Sequence, residues 1–157
     1  MAENNTPQLP SPDPALQRLD RLVGTWRTEG HLASSDEITI NGETTFRWLP
    51  GGFFLEQHNV MSFMGLEIDS LELIGYDAET ATFLSTVFSN LAPTALPYRW
   101  EVEGDVLKIS VSYEPLDATF TGSFAADGES FAGGWRPNPG ADETVNVPYD
   151  ITGRRVK

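Results

Sequence analysis

The sequence predicts an all-β protein: an antiparallel up-and-down β-barrel of about ten strands with one short N-terminal helix. Three observations predict it. From Thr25 onward, short segments alternate apolar and polar residues with period two. Turn signals separate them at regular intervals: Asn41-Gly42, Asp77-Ala78, Gly104-Asp105 and Asp127-Gly128. No long crossover segment interrupts the series, so neighbouring strands join as hairpins.

Residues 1–13, "MAENNTPQLPSPD", are polar and proline-rich and read as a flexible tail. Residues 14–157 form one domain. In "PALQRLDRLV", Leu16, Leu19, Leu22 and Val23 recur at helical spacing. Asp13 followed by Pro14 is a helix start, and Gly24 is a stop. Strands are expected over 25–34, 43–49, 53–63, 67–76, 82–90, 97–103, 106–113, 118–124, 129–136 and 147–156. The segment "RPNPGADETVN" is a surface excursion, and "LAPTALP" is placed over one barrel mouth.

Period two sorts the side chains into faces. Trp26, Thr28, Gly30 and Leu32 turn inward, against Arg27, Glu29 and His31. Phe46 and Trp48 follow, then Tyr98, Trp100 and Val102, then Leu107, Ile109, Val111 and Tyr113. Phe120, Phe124, Phe131, Trp135, Tyr149 and Ile151 complete the interior. In "FFLEQHNVMSF" the face without charges carries Gln57 and Asn59 inward. Strand 67–76 has two nearly equivalent faces. The one with Ile68, Ser70, Glu72, Ile74 and Tyr76 is assigned inward because its apolar ends flank Ser70 and Glu72. A closed barrel of this strand number is wider than side chains alone fill, so a cavity is expected. Apolar walls with a few placed polar groups suit a small ligand.

"GTW" at Gly24 to Trp26, after a short helix and opening the first strand, resembles the Gly-x-Trp signature of calycin barrels. That group includes lipocalins, fatty-acid-binding proteins and nitrobindin-like haem barrels. The ordered phrases "RLVGTW", "WLPGGFFL", "LELIGYD", "STVFSN" and "GGWRPN" resemble bacterial lipocalin-like domains of unknown function. The resemblance implies that a last-strand arginine packs on the indole of Trp26 and closes the barrel base. "YDITGRRV" offers Arg154 and Arg155, and parity with Tyr149 and Ile151 selects Arg155. Gly24, Trp26 and Arg155 are thus structural. No activity comes with the resemblance.

Other chemistries find little support. The formal net charge of −13 argues against nucleic acid and anionic membranes, which need Lys and Arg. The N-terminus lacks the basic and apolar regions of a signal peptide, and no apolar run reaches membrane-spanning length, so a cytoplasmic protein is expected. With no cysteine there is no disulfide, thiolate site or thiol nucleophile. The nitrobindin-like start, Gly-x-Trp-x-Gly-x-Gly, has Thr28 at its middle glycine here, and no histidine follows His58. His31 and His58 parse outward and leave Tyr149 as an axial donor in principle. Haem, other cofactors and metals are therefore not expected. There is no Gly-x-Ser-x-Gly elbow and no phosphate-binding glycine loop.

Non-covalent binding of a small apolar or aromatic molecule follows as the expected function, with the protein a monomer or homodimer. Phe46, Trp48, Trp100 and Trp135 supply walls, and Gln57, Asn59, Tyr98 and Tyr113 orient the ligand. With no inward basic residue, a neutral, planar or polycyclic ligand is expected rather than a fatty acid. One alternative is a cofactor-free isomerase or cyclase with Glu72 as acid or base. Another is a packed barrel that serves as an interaction module.

Overall fold

The computed structural model describes residues 6–157. Ten strands follow one N-terminal helix: β1 (Gly24–Leu32), β2 (Ile40–Trp48), β3 (Leu55–Phe63), β4 (Leu66–Asp77), β5 (Thr82–Ser89), β6 (Leu96–Glu103), β7 (Val106–Tyr113), β8 (Leu116–Phe124), β9 (Ser130–Pro137) and β10 (Tyr149–Arg155). Each strand pairs antiparallel with the next, and β10 pairs with β1 to close the barrel. Ten strands were expected, and each lies within a few residues of its expected place. Among the described residues no helix is long and apolar enough to cross a membrane.

The expected N-terminal helix is present. Pro14–Leu22 is a 3-10 helix, capped by Asp13, whose Oδ1 accepts the Ala15 amide at 2.9 Å. Leu16, Leu19 and Leu22 are spaced by three, and three residues per turn stack them in one line. All three are buried. Val23, grouped with them from sequence, caps the helix instead and is partly exposed. The leucine row plugs one end of the barrel against Phe46, Leu55, Ile74, Phe83, Trp100 and Phe124. The expected tail divides. Residues 1–5 lie outside the described residues, and residues 6–13 form no regular element. Pro12 already sits close to Gly52.

One turn assignment fails. Asn41 and Gly42 lie inside β2, and the connection from β1 is the longer segment 33–39. Gly42 is there for close packing: a Cβ would stand 2.4 Å from the Val60 carbonyl oxygen and 2.8 Å from the Met61 Cα. A strand-interior glycine marks such an approach as readily as a turn. Met64 and Gly65 instead make a two-residue hairpin between β3 and β4, both at positive φ, 52° and 85°.

The base is locked by β1 and β10. Trp26 is fully buried, and its Nε1 donates to the Leu22 carbonyl at 2.8 Å. The Arg155 guanidinium lies 4.3 Å from the indole ring. It donates to the Val23 and Arg21 carbonyls at 2.6 and 2.7 Å. The arginine over the indole is thus Arg155; Arg154 points out and is exposed. Gly24 makes room for it. Its φ is 125°, and a Cβ would stand 2.9 Å from Arg155 Nη1. Gly24→Ala is expected to cost about 1–3 kcal/mol through backbone strain. A urea midpoint unchanged from wild type would contradict this.

Candidate functional site

Above the plugged base the barrel is hollow. A cavity of about 800 Å³ runs from Trp26 and Leu22 to the opposite mouth. The barrel is therefore not packed, and the reading as a solid interaction module loses its premise. The strands deliver alternate residues to this space, as pleating requires. Phe46, Gln57, Asn59, Tyr98, Trp100, Tyr113 and Trp135 all line it, as does Glu72.

Trp48 does not line the cavity. Its parity is inward, but it is the last residue of β2, below the cavity floor. Its Nε1 donates to Asp20 Oδ1 of the N-terminal helix at 2.8 Å. Tyr113 stands at the other extreme, exposed near the mouth. Period two shows which side a residue faces, and says nothing of its depth along the axis.

Aromatic side chains form much of the wall. Trp135 makes edge contacts with Tyr98 at 6.1 Å, and it tilts against Phe120 at 5.8 Å. Phe63 and Tyr149 meet edge-on at 5.0 Å. Few polar groups interrupt it. Thr44 donates to Asn59 Oδ1 at 2.8 Å, which ties β2 to β3.

Glu72 is a carboxyl group inside the barrel. Its Oε2 accepts from Ser85 Oγ at 2.6 Å and from Trp100 Nε1 at 2.8 Å. Its Oε1 has no hydrogen-bond partner among the described residues. What surface Glu72 exposes faces the cavity. Burial raises its pKa from the ordinary 4.5 to about 7, against the opposing pull of the Ser85 and Trp100 hydrogen bonds. At neutral pH it therefore exchanges readily between acid and carboxylate. Burial also pushes the Tyr98 phenol up to about 12, and the Glu72 charge adds to this. The Tyr149 phenol is raised by burial and by Tyr98. Both phenols stay neutral donors at physiological pH. Gln57 pairs directly with Glu72 across β3 and β4, so the two side chains are neighbours on the inner face. Gln57 Oε1 is buried without a partner.

Several site residues were not legible in the sequence. Ser85, on strand 82–90, whose faces were not assigned from sequence, holds Glu72. Both faces of that strand carry apolar residues, Phe83 and Val87 on one and Leu84 and Phe88 on the other. The structure turns Leu84 and Phe88 outward, 41% and 48% exposed. The mouth is lined by two loops and by the β7–β8 turn, which brings Glu114 and Pro115. Leu91, Ala92, Pro93 and Thr94 line the cavity from the "LAPTALP" loop, as expected. The "RPNPGADETVN" loop is more than a surface excursion. Asn146 is buried; its side chain accepts the Asp117 amide at 2.9 Å and donates to the Pro115 carbonyl at 3.1 Å. That anchor turns Val145 and Val147 to the cavity.

Neither histidine reaches the cavity. His58 is on the outer face, 2.8 Å from Asp69, and His31 contacts the Leu32 carbonyl at 2.8 Å. The interior therefore offers no imidazole to a haem, and its phenols are held neutral, so the donor set does not fit that group.

Among solved structures, the barrel is similar to that of Rv2717c from M. tuberculosis, with a TM-score of 0.56. The two share 16% sequence identity, over 94% of this chain and 100% of that one, which is a likeness of fold. No curated protein matches the chain. The family model described as "Protein of unknown function (DUF1579)" matches residues 11–122, from just before the helix into β8. The chain belongs to the DUF1579 family.

Proposed function

We propose that the barrel binds a small, largely apolar molecule non-covalently in its cavity, as calycin barrels do. One observation carries this reading: an aromatic-walled space of about 800 Å³ with a plugged base and a loop-lined mouth. That volume is in the range of small-molecule sites. Gln57, Asn59 and the phenols of Tyr98 and Tyr113 supply orienting hydrogen bonds. Titration with the neutral dye Nile red tests it. A saturable, one-to-one rise in dye fluorescence is expected. Ile109→Trp, which fills the cavity from β7, is expected to weaken binding by about tenfold or more, which is about 1.4 kcal/mol. A flat titration, or equal binding by the variant, would count against the reading.

A second reading is favoured by Glu72 itself. A carboxyl with one free oxygen and a pKa near 7 suits proton transfer in a cofactor-free isomerase or cyclase. An enolisable apolar ketone held beside it is expected to exchange its α-protons for deuterium in heavy water. Glu72→Gln is expected to stop the exchange and spare the binding. Exchange at an equal rate in the variant would remove Glu72 from that role.

A further inference from the structure

We propose that the cavity selects an apolar molecule carrying a cationic nitrogen, a protonated amine on an aromatic or aliphatic body, with Glu72 as its counter-charge. This deepens the binding reading above and rests on it. It replaces the neutral ligand that the lack of inward basic residues alone suggested.

The charges around the cavity point one way. Among the described residues its lining holds two carboxyl groups, Glu72 midway down and Glu114 at the mouth, and no Lys, Arg or His. The phenols of Tyr98, Tyr113 and Tyr149 on the wall bring no positive charge. The strands paired with β4 add nothing to this. β3 and β5 put no titratable side chain on the inner face: Gln57 and Asn59 stand on one, and Ser85, Val87 and Ser89 on the other. Outside, the chain carries a formal net charge of −13, so a cation is drawn toward the mouth at long range.

The local hydrogen bonding agrees. Ser85 and Trp100 both donate to Oε2 and hold the carboxyl in one orientation. Oε1 is left without a donor. Gln57 Oε1, on the neighbouring strand, is an unpaired acceptor as well. A site with spare acceptors and no basic side chain calls for donors on the ligand. An ammonium brings them, and its bond to a carboxylate is charge-assisted. The Tyr98 ring, close enough to Glu72 to feel its charge, lines the same cavity. An anionic ligand would instead bring a further negative charge beside the two carboxyls. A neutral ligand would gain no ion pair with Glu72.

The pH dependence follows with a definite sign. Glu72 must be ionised to pair with the ammonium. With its pKa near 7, the carboxylate fraction rises from about one tenth at pH 6 to about nine tenths at pH 8. An alkyl ammonium stays charged across that range. Affinity for the amine should therefore rise about tenfold between these pH values, and affinity for a neutral analogue should stay level.

Three ligands with one apolar body test this: pyrenylmethylamine, pyrenylmethanol and pyrenecarboxylic acid, titrated calorimetrically at several pH values and constant salt. At about pH 8 the amine is expected to bind at least about tenfold tighter than the alcohol, and the acid weakest of the three. The amine's advantage should shrink toward pH 6 and vanish in Glu72→Gln, in which amine and alcohol are expected to bind alike. Equal binding of amine and alcohol at pH 8 would overturn the proposal and leave the binding reading standing. An advantage that survives in Glu72→Gln would also overturn it, since attraction by net charge alone would then explain the preference. Failure of all three to bind would overturn both readings. If Glu72→Gln does not fold, the wild-type pH profile decides: a level profile for the amine overturns the proposal.

Discussion

Trp26→Ala is expected to destabilise the barrel by about 3–5 kcal/mol, the usual range for deleting a buried large aromatic side chain. The indole is fully buried at the base, edge-on to Phe131 at 5.5 Å and to Phe124 at 6.1 Å. Its removal opens a void under the helix and leaves the Leu22 carbonyl without its donor. Arg155→Ala should cost about 1–3 kcal/mol, because it strips donors from the Val23 and Arg21 carbonyls. The two costs are coupled through the cation–ring contact, which is worth about 0.5–2 kcal/mol. A double-mutant cycle in urea reads that coupling directly. A coupling near zero would mean that Arg155 closes the base through its carbonyl contacts alone.

Glu72→Gln should make the protein more stable at alkaline pH, although it removes the group on which the site depends. The folded state raises the Glu72 pKa, so it holds that proton more tightly than the unfolded chain does. Wild type therefore enjoys the full contribution of this group below the ordinary value of 4.5. It loses that contribution as pH rises through about 7. The gap between the two values corresponds to roughly 3 kcal/mol at about 1.4 kcal/mol per tenfold change. Glutamine is neutral at every pH and keeps an oxygen for Ser85 and Trp100. The variant's advantage should be close to zero near pH 4 and should approach roughly 3 kcal/mol above pH 8. Parallel stability curves across that range would show that Glu72 is not held in a desolvating site.

The parts of this molecule legible in the sequence were those set by local chemistry. Period two assigned Trp26, Gln57, Tyr98, Trp100 and Trp135 to the inner face without knowledge of the fold. It also placed Glu72 inward on a strand with two nearly equal faces, where flanking apolar residues decided the matter. What stayed hidden depends on position along the barrel axis or on partners distant in sequence. Trp48 faces inward but lies beneath the floor, against a helix about thirty residues earlier. Ser85 sits on a strand whose outer face also carries Leu84 and Phe88, so burial gave no contrast to read. Asn41-Gly42 has the composition of a hairpin turn, yet Gly42 answers to the approach of β3. The helix type was not legible for a different reason. Leucines spaced by three fit both 3.6 and 3.0 residues per turn over so short a span, so the spacing does not choose between them.

The central claim is that this barrel is a container with an occupant. Native mass spectrometry of the protein purified from its own host, repeated after incubation with excess Nile red, tests it most directly. A species heavier than the polypeptide by one small molecule is expected, in one-to-one ratio and lost on denaturation. The bare polypeptide mass in both samples would contradict it.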